Sequence, residues 1–361
     1  MSAEQVALAL KAWAQENNLL GQEYPITLQI NDVDRDAQFD ALRISAASES
    51  ILRQRQLLGV GFNQADNQVI VLTARKVIQR EQKVLPQTIG ADEVQVKYVH
   101  AGNAQAGTQQ IANTPRPYSI KPNGVYCCGS SIHPATAIGA GTLGCLVRDQ
   151  AGTLFGLSNN HVSGLCSYAI EGDKIIAPGH VDINAKGIDP FTLGYHSRSL
   201  PMVPGTPDNI DVANNSDAAL IKIIDEALVS SHQGLLYDTP NKVAPLSAGM
   251  VVKKVGRTTG LTSGAVTCQM AGSHPVTYTV QGIGTQVAFF EPVFLIRSLN
   301  PAQGPFSING DSGSLVVAEI GGEPTAVGIV FAGDSQGNSF ALSLPPILQK
   351  LQVDIVSNHN I

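Results

Sequence analysis

The sequence predicts a mainly β protein, with antiparallel barrels behind a small α/β unit, and three observations carry that reading. Charged residues make up only 14% of the 361-residue chain, while glycine occurs 35 times and proline 20 times. This balance favours short strands and frequent turns over long charged helices. Beyond Pro115 the helical pattern nearly vanishes, and short apolar runs alternate with turn residues, as they do in closed antiparallel barrels and sandwiches. The length suits about two or three units, each with its own core, and residues 116–361 are enough for two six-stranded barrels.

Ala3 to Gln15 reads as a helix, Leu57 to Phe62 and Val69 to Leu72 as strands around the turn Asn63 to Asn67, Lys76 to Leu85 as a polar helix, and Val94 to Val99 as a strand. These form a small α/β domain over residues 1–115. Ala101 to Asn113 is rich in Gly, Ala, Asn, Gln and Thr and is followed by Pro115 and Pro117, which is linker composition. In residues 116–361 strands are predicted at Gly144 to Val147, Leu154 to Leu157, Ala218 to Ile224, Val251 to Val255, Val276 to Val280, Val287 to Phe290, Leu315 to Ala318 and Val327 to Val330. A final helix is expected around Pro346 to Leu351, since proline is tolerated at a helix start.

A net charge of −6 and scattered Lys and Arg give no electrostatic footprint for nucleic acid or an anionic membrane surface. Met1 to Asn18 lacks the basic start and unbroken apolar core of a secretory signal. No apolar stretch reaches the ~20 residues that span a bilayer. A cytoplasmic chain is therefore expected. Cys127, Cys128, Cys145, Cys166 and Cys268 show no metal-ligand spacing and suit buried reduced thiols, with a Cys145–Cys166 bridge around His161 as the alternative. His100, His133, His180, His196, His232, His274 and His359 show no zinc pattern, so neither metal nor cofactor is expected. Gly139 to Gly144 spells the dinucleotide fingerprint, but it leads into a strand, not a helix, and is assigned to the barrel.

The chemistry centres on Gly310-Asp311-Ser312-Gly313. Glycines on both sides of a serine permit a tight turn that exposes the hydroxyl and aims backbone N–H groups at an attacked carbonyl. A hydroxyl needs a base, and the base an orienting carboxylate. The apolar strand Leu154 to Leu157 ends in the polar residues Ser158, Asn159 and Asn160 and then His161, and Asp217 opens the run Ala218 to Ile221. Asp211 competes with Asp217 but is separated from that run by the turn-like Asn214 and Asn215. The order His, Asp, Ser is that of the chymotrypsin arrangement.

These blocks, with Gly256-Arg257-Thr258-Thr259-Gly260-Leu261-Thr262-Ser263-Gly264, resemble the motifs of trypsin-like, chymotrypsin-fold serine peptidases of bacterial type, over roughly Ser130 to Gln349. The resemblance implies two perpendicular barrels and peptide-bond hydrolysis through an acyl-enzyme. His161, Asp217 and Ser312 would be the triad, and the N–H groups of Gly310 and Ser312 the oxyanion hole. No Ile-Val-Gly-Gly-like activation site precedes the first barrel, so no partner for Asp311 is assigned. Phe306 stands six residues before Ser312, where a pocket acid would serve cleavage after Arg or Lys. With Val330, Phe331, Ala332 and Gly333 it implies an apolar or small side chain at the cleaved position. Residues 1–115 resemble bacterial pro-regions in position and pattern, leaving a folding aid, an inhibitor or a domain for a regulatory partner as alternatives. The expected partner of the cleft is a protein or peptide substrate. The competing functional readings are a catalytically lapsed or latent peptide-binding module and an esterase using the same residues.

Overall fold

The computed structural model describes residues 1–20, 38–90, 92–107, 117–183 and 187–361. Val6, Leu10 and Ala14 recur at helical spacing and are buried along the helix Ala3–Glu16. That helix starts on a capping box in which Ser2 Oγ accepts from Gln5 N–H and Gln5 Oε1 accepts from Ser2 N–H. It packs on the strand Leu57–Asn63, which pairs with Gln68–Thr73. The latter runs parallel to Val94–His100. The helix Ala46–Arg55, which the sequence did not announce, buries only Ser48 and Leu52. The helix expected over Lys76 to Leu85 contracts to Gln79–Gln82; Glu81 fixes its start by accepting from Ile78 N–H and also pairs with Arg55.

Two β units follow, as the composition and turn pattern predict. The second is a closed ring of six antiparallel strands. Val251–Gly256 pairs with Gly260–Met270, then Phe294–Ser298, Ser339–Ser343, Glu323–Gly333 and Leu315–Ile320 lead back to Val251–Gly256. The first is a curled sheet in the order Val353–Ile355, Cys145–Asp149, Leu154–Ser158, Ala219–Ile223, Phe191–Ser199, Lys174–Ala177, Ser131–Pro134 and Gly141–Thr142. Gly141 therefore lies in a short strand, and Gly152 N–H closes the Asp149 hairpin turn at 3.0 Å. The last helix, Leu344–Leu351, starts on prolines and carries the chain from the closed ring to the curled sheet.

The N-terminal strands are continuous with the closed ring, since Gly61 and Phe62 pair with Met270 and Gln269. Lys11 strengthens this seam from the helix above, its buried Nζ donating to the carbonyls of Ala271 and Ser273, each at 2.7 Å. Within the stretch of linker composition, Gln105–Ala106 forms a strand between His274–Val280 and Glu323–Gly333. The boundary near Pro115 lies outside the described residues.

All five cysteines are buried free thiols, so Cys145 and Cys166 are unbridged. Burial pushes the thiols of Cys145 and Cys268 up to about 12. Among the described residues no helix is long and apolar enough to cross a membrane.

Candidate active site

The strand Leu154–Ser158 ends in Asn159, and a single helical turn, Asn160–Ser163, turns His161 inward. The neighbouring strand Ala219–Ile223 pairs Ala219 with Ser158, so Asp217, two residues ahead of it, reaches the same end of the sheet. Asn159 Nδ2 fixes this approach by donating to the Asp217 carbonyl at 2.6 Å. Asp217 is fully buried and accepts from three donors: His161 N–H on Oδ1 at 2.9 Å, and His161 Nδ1 at 2.6 Å and Tyr278 OH at 3.1 Å on Oδ2. Asp211, its rival in the sequence, lies exposed beside a 3₁₀ turn and accepts from Asn214.

Tyr278 was not singled out by the sequence. Burial, reinforced by the negative charge of Asp217, pushes its phenol well above the usual range. It therefore stays a protonated donor to the carboxylate. Its ring centroid lies 5.5 Å from that of His161. With Nδ1 held by Asp217, the His161 proton resides on Nδ1 and Nε2 presents a lone pair. Nε2 is buried and meets no hydrogen-bond partner among the described residues.

Ser312 approaches this end of the first sheet from the closed ring, and among the described residues its hydroxyl makes no hydrogen bond to His161 Nε2. Gly310 and Gly313 both adopt positive φ, +95° and +97°, which glycine alone takes at little cost. Space demands glycine as well. A Cβ on Gly313 would run into the Thr142 carbonyl and Ser158 Oγ, and one on Gly310 into the Arg257 guanidinium and Thr258 Oγ1. The loop is thus wedged against the strand end that leads to His161, and Thr142 N–H donates to the Ser312 carbonyl at 2.8 Å. Among the described residues the N–H groups of Gly310 and Ser312 meet no acceptor.

Asp311 turns into the ring, its side chain fully buried. Its carboxylate accepts from Thr258 N–H at 2.9 Å, Thr259 N–H at 3.1 Å, Thr259 Oγ1 at 2.7 Å and Ile308 N–H at 3.1 Å. Lys254 Nζ stands 3.5 Å away, and both side chains have no exposure. Burial pulls the Lys254 ammonium below its ordinary range, with Asp311 opposing the shift. The cation that the sequence left unassigned is therefore internal to the strand Val251–Gly256. Next to it Arg257 forms a buried bidentate pair with Asp182, Nε at 2.7 Å and Nη2 at 2.5 Å, tying the loop to the first sheet.

Of the residues expected to line a specificity pocket, Phe306, Val330, Phe331 and Ala332 are interior. Phe306 and Phe331 have no exposure and Val330 has 2%. Phe306 faces Lys254, whose Nζ is 5.9 Å from the ring centroid, and Phe331 packs edge-on against Phe290. Gly333 is half-buried and pairs with Gln105. The hollow lined by Leu58, Leu72, Asn103, Ala104 and His274 lies beside this strand and shares no residue with the expected pocket.

No protein-family model and no curated protein matches the sequence. Among solved structures, the chain is similar to a glutamic-acid-specific serine protease at 17% identity and a TM-score of 0.41, covering 64% of this chain and all of that one. Thermobifida fusca Protease A gives the same identity, TM-score and share of this chain, with 98% of its own length covered. The NS6 protease of murine norovirus 1 follows at 13% identity and a TM-score of 0.29, covering 54% of this chain and 84% of that one. The likeness is one of fold.

Proposed function

We propose that the chain is a serine endopeptidase in which Ser312 attacks the scissile carbonyl, His161 moves the proton and Asp217 orients His161. The carrying observation is the buried His161–Asp217 pair. Two hydrogen bonds from one histidine to one carboxylate fix both the ring's direction and its tautomer. The free Nε2 is then the base for the Ser312 hydroxyl and, once protonated, the acid for the leaving amine. As the imidazole becomes charged, the Asp217 carboxylate 2.6 Å from Nδ1 stabilises it, both side chains being buried. The N–H groups of Gly310 and Ser312 are the donors for the oxyanion, where one donor is worth about 3 kcal/mol of barrier. Lys254 and Asp311 hold those donors in place. The acyl-enzyme formed on Ser312 is released by water through the same histidine.

The test is reaction of the purified protein with a fluorophosphonate, read by intact mass, in wild type, Ser312→Ala and His161→Ala. Modification of the wild type alone supports the reading. A folded wild type that does not react favours the lapsed or latent peptide-binding module.

A further inference from the structure

The hairpin formed by His274–Val280 and Gly284–Phe290 touches three parts of the molecule, and Tyr278, bound to Asp217, sits in its first strand. The second strand lies on loops of the first sheet, where Gly205 N–H donates to the Val287 carbonyl and Asn215 Nδ2 to the Phe289 carbonyl, each at 3.0 Å. The first strand pairs with Gln105 and Ala106. The base of the hairpin is held by the N-terminal unit. There the ring strand Gly260–Met270 passes into the hairpin through Ala271-Gly272-Ser273, a turn in which Gly272 has a φ of +59°. Ala271 N–H donates to the Val60 carbonyl at 2.8 Å, and the carbonyls of Ala271 and Ser273 converge on the buried Lys11 Nζ. An ammonium carries three donors on a long stem, so one side chain of the helix Ala3–Glu16 serves both carbonyls of the turn. Burial pulls the Lys11 ammonium down to about 8, with the charge of Glu291 opposing the shift. Burial also lowers His274, and the Lys11 charge adds to that effect. Glu291 follows the second strand and His274 opens the first, so a single cation acts on both ends of the hairpin.

We infer that Lys11 is a positioning residue for the reaction: through the hairpin it sets Tyr278 against Asp217, which makes the helix Ala3–Glu16 a part of the working enzyme. The inference rests on the peptidase reading above. His274, Val276 and Tyr278 alternate on the buried face of one strand, so the base and the tyrosine are joined by four residues of extended backbone, about 14 Å. At Thr277 and Tyr278 that strand is paired on both sides. Its rings are packed as well, His274 on Phe340 at 5.1 Å and Tyr278 on Phe290 at 6.1 Å between centroids. A strand held in this way moves as a body, and a displacement at its base is carried to the Tyr278 hydroxyl. Removing the ammonium takes a donor from two carbonyls, and such groups recover their bonds by turning towards water. The Tyr278 bond to Asp217, 3.1 Å long, weakens with that shift and leaves Oδ2 to His161 Nδ1 alone. The N-terminal unit is thereby distinguished from a folding aid or an inhibitor, whose loss would leave or raise the reactivity of Ser312.

The test is a double-substitution cycle in the full-length protein, with wild type, Lys11→Met, Tyr278→Phe and the two combined. Lys11→Gln, which keeps an amide donor on a shorter stem, replaces Lys11→Met throughout if the latter does not fold by circular dichroism. Each protein is measured for the rate at which the fluorophosphonate modifies Ser312 and for the low-field proton resonance of His161 Nδ1, which reports the bond to Asp217. Lys11→Met is expected to slow the reaction about 10-fold or more, up to the loss caused by Tyr278→Phe, and to move the Nδ1 resonance in the same direction as Tyr278→Phe does. In the Tyr278→Phe background the same substitution should change the rate by less than about twofold, because the route through the tyrosine is already cut. An equal factor in both backgrounds, which a general loss of stability would give, overturns the inference and leaves the peptidase reading standing. An unchanged rate in the folded variant does the same, and a raised rate overturns the inference in favour of an inhibitory N-terminal unit. A wild type that takes no probe overturns the peptidase reading; the resonance then decides on Lys11, its movement supporting the link to Asp217 and an unmoved resonance overturning it.

Discussion

Replacing Lys254 by methionine removes the cation behind the serine loop and keeps most of the side-chain volume. At 3.5 Å and an effective dielectric of about 20, the Lys254–Asp311 attraction is about 5 kcal/mol. Burying the ammonium offsets part of it, which is why burial leads the downward shift of Lys254. Truncation leaves the Asp311 carboxylate buried without its cation, and such losses cost about 3–5 kcal/mol. The four donors that remain on Asp311 place this one at the lower end, about 3 kcal/mol, which is more than about 100-fold in an equilibrium. Ile308 N–H binds the same carboxylate, so a shift of Asp311 is passed to the serine loop, and the assay is paired. Urea unfolding reports the stability, and the rate of fluorophosphonate modification reports the loop. Adding Asp311→Asn removes the stranded charge and is expected to return at least about half of the lost stability. A Lys254→Met protein within about 0.5 kcal/mol of wild type that reacts at the wild-type rate would refute the reasoning.

Two further outcomes follow from the same contacts. Tyr278→Phe deletes the 3.1 Å bond to Asp217 and leaves the ring packed, so Ser312 reactivity should fall about 10- to 100-fold, the worth of a hydrogen bond to a charged group; circular dichroism should be unchanged, and wild-type reactivity would contradict it. Burial lowers His133 to about 4 and His274 to about 3; the unfolded chain takes these protons near pH 6.5 and the native one does not, so stability is full above that pH and falls as pH drops below it. The slope is about 1.4 kcal/mol per pH unit for each histidine, about 4 kcal/mol for both by pH 5, and His274→Asn should halve it; equal urea midpoints at pH 7.5 and pH 5 would count against the assignment.

The parts of the site that were legible in the sequence are those made by local backbone chemistry. Gly310 and Gly313 announce a turn that only glycine can make, and His161 and Asp217 each stand at the rim of an apolar run, which is where a sheet end puts them. The contributions that escaped come from partners remote in sequence. Lys254 reads as one of two lysines in Val-Val-Lys-Lys-Val, although period-2 alternation sets it on the buried face of Val252 while Lys253 lies over the Tyr237 ring. That pattern was a signal; its partner Asp311 was not readable. Nothing separates Tyr278 from any other strand aromatic. The strand Gln105–Ala106 has linker composition because its stability comes from two flanking edges supplied by residues 277–278 and 333, and small residues fit there for lack of room. The Ala46–Arg55 helix escaped because one buried leucine gives no periodicity.

The most direct test of the account is the rate at which a fluorophosphonate modifies Ser312 in wild type and in Asp217→Asn. The amide keeps its oxygen for His161 N–H but turns a donor to Nδ1, reversing the tautomer and removing the lone pair from Nε2. The rate should fall about 10⁴-fold with an unchanged unfolding midpoint. Equal rates in the two proteins would mean that the His161–Asp217 pair is structural and that Ser312 is not a nucleophile activated by it.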